Sequence, residues 1–395
     1  MTGASLRILL AAVEPSADAI GASFMRELKI LAPEASLFGC GGPEMKREGL
    51  ESLFPIDAFS VFGATDVLRV APLAMRRARE LAEKAAAERA DVAVFIDGWA
   101  FSRLCATRFR KISPLTTMIK FAAPQVWASR PQRVNFVRKY FDGVLALLPF
   151  EPEWFTRAGA RAQFVGNPNF QAAWNARGNA AAFRVRHGVG DAPLLAVLLG
   201  SRKREVSRLS KPFGEAVEYL AKEIPGLRIV SPLAESVAGE AGRIIANWPG
   251  DPILTGADEK YDAMAAANAA LTASGTASTE LAINRTPMVV AYRVDPVTAF
   301  WARKVKTTPF ASIINVAAGR FVIPEFIQEK CDGRLIASAL LALFEEPSEY
   351  VEQAAAFDVI LKELGVDGLP AARLAAEKTL EWARLGRQRA LPVGR

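Results

Sequence analysis

The chain has 395 residues, of which 51% are hydrophobic and 23% charged, a balance that excludes a disordered or fibrous protein and leaves room for two or three domains with their own cores. A net charge of +7 at pH 7 favours anionic partners, whether phospholipid, phosphorylated substrate or nucleic acid, and its sign alone does not choose among them. Cys40, Cys105 and Cys331 stand far apart without metal-ligand or Cys-x-x-Cys spacing, which fits reduced, buried thiols in a cytoplasmic protein and implies no metal site.

In chain order, residues 6–13 form an apolar run too short for a membrane span and followed at once by Glu14 and Asp18, so they read as a first core strand and not a signal peptide. No later window holds the roughly 18 uncharged apolar residues that a span needs. A helix over 17–31, a strand over 36–40, a helix over 73–89 and strands over 92–96 and 144–148 follow. Short apolar strands alternating with amphipathic helices mark a parallel sheet covered on both faces, and thus a doubly wound domain. A second series of strands, over 194–199, 228–230, 269–272 and 288–292, is interleaved with helices such as 211–222. The tail from residue 348 to 382 reads as two helices joined at Gly365 to Pro370, and residues 386–395 read as frayed or packed on a partner. The predicted class is α/β with a Rossmann-like domain over 1–175, a second over 176–345 and a helical segment over 346–395.

Two turns in the second half suit a nucleotide. Ser274-Gly275-Thr276 lies between a strand and a helix, where free backbone N–H groups and the positive helix end favour phosphate, and Glu280 one turn inside can reach a ribose hydroxyl. Plain helix capping explains the same residue types and stays open on this pattern alone. Gly200-Ser201-Arg202 also ends a strand and opens a helix, so its amides and the Arg202 guanidinium can clamp a pyrophosphate; the alternative is one more surface cation beside Lys203 and Arg204.

Around these turns run, in order, Phe38-Gly39-Cys40-Gly41-Gly42-Pro43-Glu44-Met45, Ser60-Val61-Phe62-Gly63, Pro124-Gln125-Val126-Trp127-Ala128, Leu148-Pro149-Phe150-Glu151, Phe164-Val165-Gly166-Asn167-Pro168, Gly200-Ser201-Arg202, Pro287-Met288-Val289-Val290-Ala291-Tyr292-Arg293, Asn315-Val316-Ala317-Ala318-Gly319-Arg320 and Pro324-Glu325. From the first strand to about residue 345 this set resembles the lipid A disaccharide synthases. The resemblance implies a GT-B glycosyltransferase, two Rossmann-like domains facing a cleft, that moves a 2,3-diacylglucosamine from UDP onto 2,3-diacylglucosamine 1-phosphate with inversion, releasing UDP. It implies UDP-sugar contacts at Gly200, Ser201, Arg202, Ser274, Gly275, Thr276, Glu280, Asn315, Gly319 and Glu325, although Asn315 before a glycine-containing segment is also a common turn residue. No cofactor is implied. The partners are the UDP-sugar donor, an acylated glucosamine phosphate acceptor and the inner-membrane surface; nucleic acid is not among them, and a homodimer is left open.

On the acceptor side the chain departs from the family. Where the family carries Gly-Glu-x-Ser-Gly-Asp, this chain has Val13-Glu14-Pro15-Ser16-Ala17-Asp18, which keeps Glu14, Ser16 and Asp18 and loses both glycines. Ser16 and Asp18 are also ordinary capping residues. The family's Ile-Asp-x-Pro-Asp-Phe-Asn, whose second Asp is believed to be the general base, is here Ile96-Asp97-Gly98-Trp99-Ala100-Phe101-Ser102. Alanine cannot accept a proton, and losing a general base costs about 10² to 10⁴ in rate. The candidate bases are therefore Asp97, Glu14 and Asp18, with Ser16, Trp99 and Gln125 on the acceptor side. Two family histidines are Lys120 and Asn167 here, and the single histidine, His187, reads as a helix end. A non-catalytic paralogue that binds UDP or a UDP-sugar, or a transferase with another acceptor, is the alternative reading. Residues 67–77 and 300–306 mix apolar and basic side chains as a peripheral membrane contact requires, and as an amphipathic helix packed on a core also does.

Overall fold

The computed structural model describes residues 5–59 and 64–390; the motif at 60–63 and the side chains at 64–69 lie outside the described residues. The chain divides into two compact units, Met1–Asn169 with Gly368–Arg395, and Phe170–Asp367. In the first unit the elements run β1 (Arg7–Ala12), α1 (Pro15–Leu31), β2 (Ser36–Cys40), α2 (Pro43–Arg47), α3 (Ala64–Ala87), β3 (Val92–Ile96), α4 (Trp99–Ile112), β4 (Thr117–Phe121), α5 (Arg133–Tyr140), β5 (Gly143–Ala146), α6 (Glu151–Thr156) and β6 (Ala162–Phe164). The strands form one parallel sheet in the order β2-β1-β3-β4-β5-β6. Every residue of β3, β4 and β5 is buried, as central strands with helices on both faces must be. Along β1 the side chains alternate: Ile8, Leu10 and Ala12 join Phe24 and Leu28 on one face, while Leu9 and Ala11 join Phe95 and Phe109 on the other.

The second unit continues with α7 (Pro168–Asn175), which starts at the unit boundary, then α8 (Ala180–Arg186), β7 (Leu194–Leu198), α9 (Lys203–Glu223), β8 (Arg228–Pro232), α10 (Ala238–Ile245), β9 (Ile253–Thr255), α11 (Lys260–Ala266), β10 (Ala269–Thr272), α12 (Thr276–Ile283), β11 (Met288–Tyr292), α13 (Pro296–Val305), α14 (Ile313–Ala318), β12 (Glu325–Ile327), α15 (Gly333–Glu345) and α16 (Pro347–Glu363). Its sheet is again parallel, in the order β12-β11-β10-β7-β8-β9.

Both sheets reverse direction once. In the first, the chain moves from β1 out to β2 and returns on the other side of β1 as β3; in the second it moves from β7 to β9 and returns beside β7 as β10. Such switch points open a crevice at the carboxyl ends of the two strands, where α/β sheets bind ligands.

The last helix, α17 (Ala371–Ala390), belongs to the first unit, where Ala375, Ala376, Leu380, Trp382 and Ala383 complete the core beside α1. Gly143 makes room for it: a Cβ there would stand 2.2 Å from the Trp382 ring. Residues 386–390, expected to be frayed or packed on a partner, are helical, and the Arg387 guanidinium reaches Asp91 Oδ2 at 2.6 Å and the Ser5 carbonyl at 2.7 Å. Two helices also start earlier than expected: α3 begins at Ala64 and α9 at Lys203, with Pro72 and Pro212 inside them. A proline removes one N–H donor, but in α9 the apolar spacing runs through it, from Val206 and Leu209 to Phe213, Val217 and Leu220, all buried, so packing outweighs the lost bond.

Candidate functional site

Glu14 follows β1 and Asp97 follows β3, so the first switch point carries two carboxylates, with Ala12 and Ile96 paired just before them. Asp97 takes a left-handed conformation, φ +48°, and Gly98 repeats it at +50° before α4 begins. The turn is held from the main chain: Asp97 N–H donates to the Phe121 carbonyl at 2.9 Å, while the Asp97 carbonyl accepts from Ser102 Oγ at 2.9 Å and from Lys120 Nζ. Among the described residues no donor bonds the carboxylate of either Asp97 or Glu14. Burial, and then the Asp97 charge, raise Glu14 above its ordinary 4.5, against the pull of Lys120.

The other acceptor-side candidates are placed differently. Asp18 is buried, and its two oxygens accept from the amides of Gly42 (2.7 Å), Glu44 (2.8 Å) and Met45 (3.1 Å), so its carboxylate caps α2 and carries the Gly41-Gly42-Pro43 turn. Ser16 is exposed in the first turn of α1, and Ala100 is exposed in the first turn of α4. Trp99 opens α4 half-buried, edge-on to Phe136 at 5.7 Å and under the Arg133 guanidinium at 5.6 Å. Gln125 is exposed on the loop after β4. His187 ends α8, its Nε2 3.3 Å from Glu259, as a helix-end residue.

In the second unit Gly200-Ser201-Arg202 follows β7 and Ser274-Gly275-Thr276 follows β10, the two strands of that sheet's switch point. The amides of Ser201 and Arg202, expected to be free for a pyrophosphate, donate to Glu205 Oε2 at 3.0 and 3.3 Å; Oε1 accepts from Arg202 Nη1 at 3.0 Å and from Tyr292 OH at 3.2 Å. Gly200 permits this closure, because at φ +99° a Cβ would meet Glu205 Oε2 at 2.4 Å. The Arg202 side chain is 67% exposed and paired to Glu205, a solvent-side ion pair that an incoming anion can compete with. On the facing turn Gly275 and Thr276 are exposed, and nothing lies within 4 Å of a Cβ built on Gly275. Glu280, one turn inside α12, is bound to Lys260 Nζ at 2.7 Å and Tyr261 OH at 3.3 Å.

Ser274 joins a deeper network. Its Oγ donates to the Ala311 carbonyl at 2.9 Å, and the Ala311 and Ser312 amides donate to Glu325 at 2.7 and 2.8 Å. Asn315, 0% exposed, spends its whole hydrogen-bonding capacity here: Nδ2 donates to Ile323 O and Glu325 Oε1, each at 2.8 Å, and Oδ1 accepts from Val322 and Ile323. Gly319, φ +64°, caps α14 inside that loop. Asn315, Gly319 and Glu325 thus shape the loop that supports Ser274.

Three residues that sequence reasoning did not assign to the sites stand out. Lys120 is a cation inside β4, Glu205 closes the β7 turn, and Glu151 binds the Trp127 indole. Glu205 had a readable signal, an acid three residues into a helix, as in a capping box. Glu151 lay in a quoted motif without an assigned role. Lys120 was hidden because a charged residue in 117–121 obscured the strand itself.

A family model described as lipid-A-disaccharide synthetase matches residues 8–373. A lipid-A-disaccharide synthase from Paramagnetospirillum magneticum is 37% identical over 385 residues, covering 96% of this chain and 98% of that one. Among solved structures, S. aureus MnaA with UDP aligns with a TM-score of 0.63 at 12% identity over 99% of this chain and 98% of that one. A calicheamicin glycosyltransferase aligns with a TM-score of 0.57 at 16% identity over 98% and 99%. At such identities these two share the fold alone, two doubly wound units of the GT-B type. With both switch points inside the matched span and a full-length synthase at this identity, the chain belongs to the lipid-A-disaccharide synthetase family, GT-B hexosyltransferases of lipid A biosynthesis.

Proposed function

We propose that the chain transfers an acylated glucosamine from UDP to an acylated glucosamine 1-phosphate, with Asp97 as the proton acceptor and Glu14 beside it. The acceptor hydroxyl attacks the anomeric carbon, the bond to UDP breaks with its electron pair leaving on UDP, and the hydroxyl proton passes to the carboxylate. The observation that carries this reading is the state of the acids: Asp18 is engaged by three amides, whereas Asp97 and Glu14, at the switch point, have no donor on their oxygens among the described residues. A base must keep a lone pair for the proton it takes. The match to whole-length synthases supports the transferase over a non-catalytic binder.

The donor side rests on the second unit. The S. aureus neighbour holds UDP in the same fold, and here the exposed Arg202, Gly275 and Thr276 stand at adjacent strand ends, where a diphosphate meets a cation and a helix start. Glu280 is the ribose partner in this reading, with its Oε1 held by Lys260 and Tyr261. Membrane contact from the cytoplasmic side is supported by α13, whose Phe300 and Trp301 are 55% and 60% exposed beside Arg303, Lys304 and Lys306, and by exposed Met75 and Arg76 on α3. Among the described residues no helix is long and apolar enough to cross a membrane. The test is UDP release by the purified protein with both acylated glucosamines: release that depends on both sugars supports the reading, and none with either would overturn it.

A further inference from the structure

Lys120 is the charged residue that the first sheet has least reason to hold. It lies in β4 between Ile119 and Phe121 at 1% exposure, and burying an ammonium without compensation costs several kcal/mol. A methionine would fill the same room. The compensation is specific: Nζ donates to the carbonyls of Phe95 (3.2 Å), Phe121 (3.1 Å) and Asp97, three acceptors for three protons. All three belong to the carboxyl ends of β3 and β4, where Asp97 stands in its left-handed conformation. A non-glycine residue held there costs on the order of 1–3 kcal/mol and persists only when its surroundings fix it. The Asp97 carbonyl is gripped by two side chains, Ser102 and Lys120.

We propose that Lys120 is a positioning residue for the transfer reaction: it fixes the Asp97–Gly98 turn through the Asp97 carbonyl and sets one positive charge within electrostatic reach of the Asp97 and Glu14 carboxylates. The inference rests on the reading of Asp97 as proton acceptor. Two like charges at one site raise each other's proton affinity, and a neighbouring cation opposes that. The acids that face Lys120 come from two elements, Glu14 after β1 and Asp97 after β3; burial lowers Lys120 from 10.5 to about 8 against both of them, and Lys120 in turn opposes the rise of Glu14.

The test is the pH dependence of kcat and kcat/KM for the wild type, Lys120→Met, Lys120→Gln and Asp97→Asn, with melting temperature and UDP affinity as controls. Lys120→Met should lower kcat about tenfold or more, leave UDP affinity unchanged, and move the acid limb of the profile up by about one pH unit, because the carboxylates have lost their cation. Lys120→Gln keeps two donors for the turn but no charge, so it should recover part of kcat while its acid limb stays raised. An unmoved acid limb in either folded variant overturns the proposal, and the glutamine variant carries the test if the methionine variant does not fold. The base reading fails separately: Asp97→Asn at wild-type rate removes it whatever Lys120 does, whereas an inactive Asp97→Asn with unmoved Lys120 profiles removes only the positioning role.

Discussion

The Trp127 indole N–H donates to Glu151 Oε1 at 3.0 Å, while Oε2 of the same buried carboxylate accepts the amides of Leu147 and Leu148 at 3.1 Å each. This bond ties the loop after β4, with Gln125 on it, to the end of β5. Burial pushes Glu151 from 4.5 up to about 7, although the bonds from Trp127, Leu148 and Leu147 favour its charged form. A raised carboxyl contributes stability that is fully present below its unfolded value and lost as pH rises through the folded one. The fold should therefore lose up to about 3 kcal/mol between pH 4.5 and pH 7 from this group. The Trp127 indole N–H resonance should titrate near pH 7 and stop doing so in Glu151→Gln. An indole resonance that stays constant from pH 5 to pH 8 would remove the pH-dependent part of this account.

Arg202 and Glu205 should separate ligand binding from loop closure. With its side chain largely in solvent, Arg202→Ala should leave the melting temperature unchanged and weaken UDP binding by about tenfold to a hundredfold, the worth of a charge-assisted bond to phosphate. Glu205→Ala instead strips the Ser201 and Arg202 amides of their acceptor and should lower thermal stability. Calorimetric titration with UDP alongside thermal melts checks both. Equal UDP binding by wild type and Arg202→Ala would move the diphosphate elsewhere.

Asn315 acts at one remove from the ligand. Its replacement by alanine leaves the part-buried amide of Val322 and the buried amide of Ile323 without an acceptor and the Glu325 carboxylate without its side-chain donor, a loss of about 2–4 kcal/mol. The Ala311 carbonyl that holds Ser274 loosens with the loop, so UDP affinity should fall together with urea stability. Full UDP affinity in Asn315→Ala would detach the loop from the site.

For the membrane, the paired change Phe300→Glu with Trp301→Glu should weaken co-sedimentation with anionic vesicles by on the order of tenfold, and raised salt should weaken wild-type binding as it screens Lys304 and Lys306. Binding that ignores both changes would take α13 out of the contact.

Much of this was legible in the sequence, and the misses have local causes. The strands that read clearly were apolar through their middles: residues 6–13, with Arg7 only at the exposed start, 92–96, and 269–272, with Thr272 only at the end, needed little but length and hydrophobicity. The strand over 117–121 was missed because Lys120 interrupts it, and a lysine on an inward face makes sense only once the carbonyls of Phe95, Asp97 and Phe121 are known to converge on it. Short edge strands such as β6, β9 and β12, three residues each, carry too little pattern to register. The candidate acids were legible as residue types; their hydrogen-bond states were not. Asp18 and Asp97 look equivalent in sequence, yet the carboxylate of one cradles a turn with three amides and that of the other has no donor among the described residues, a difference set by the chain 24 residues further on at Gly42.

Turnover of Asp97→Asn, measured as UDP release with both acylated glucosamines beside a calorimetric UDP titration of the same preparation, tests the assignment of the base most directly. The account predicts a loss of about 10² to 10⁴ in kcat with UDP affinity and melting temperature unchanged. Wild-type turnover by Asp97→Asn would contradict it and hand the proton to another group.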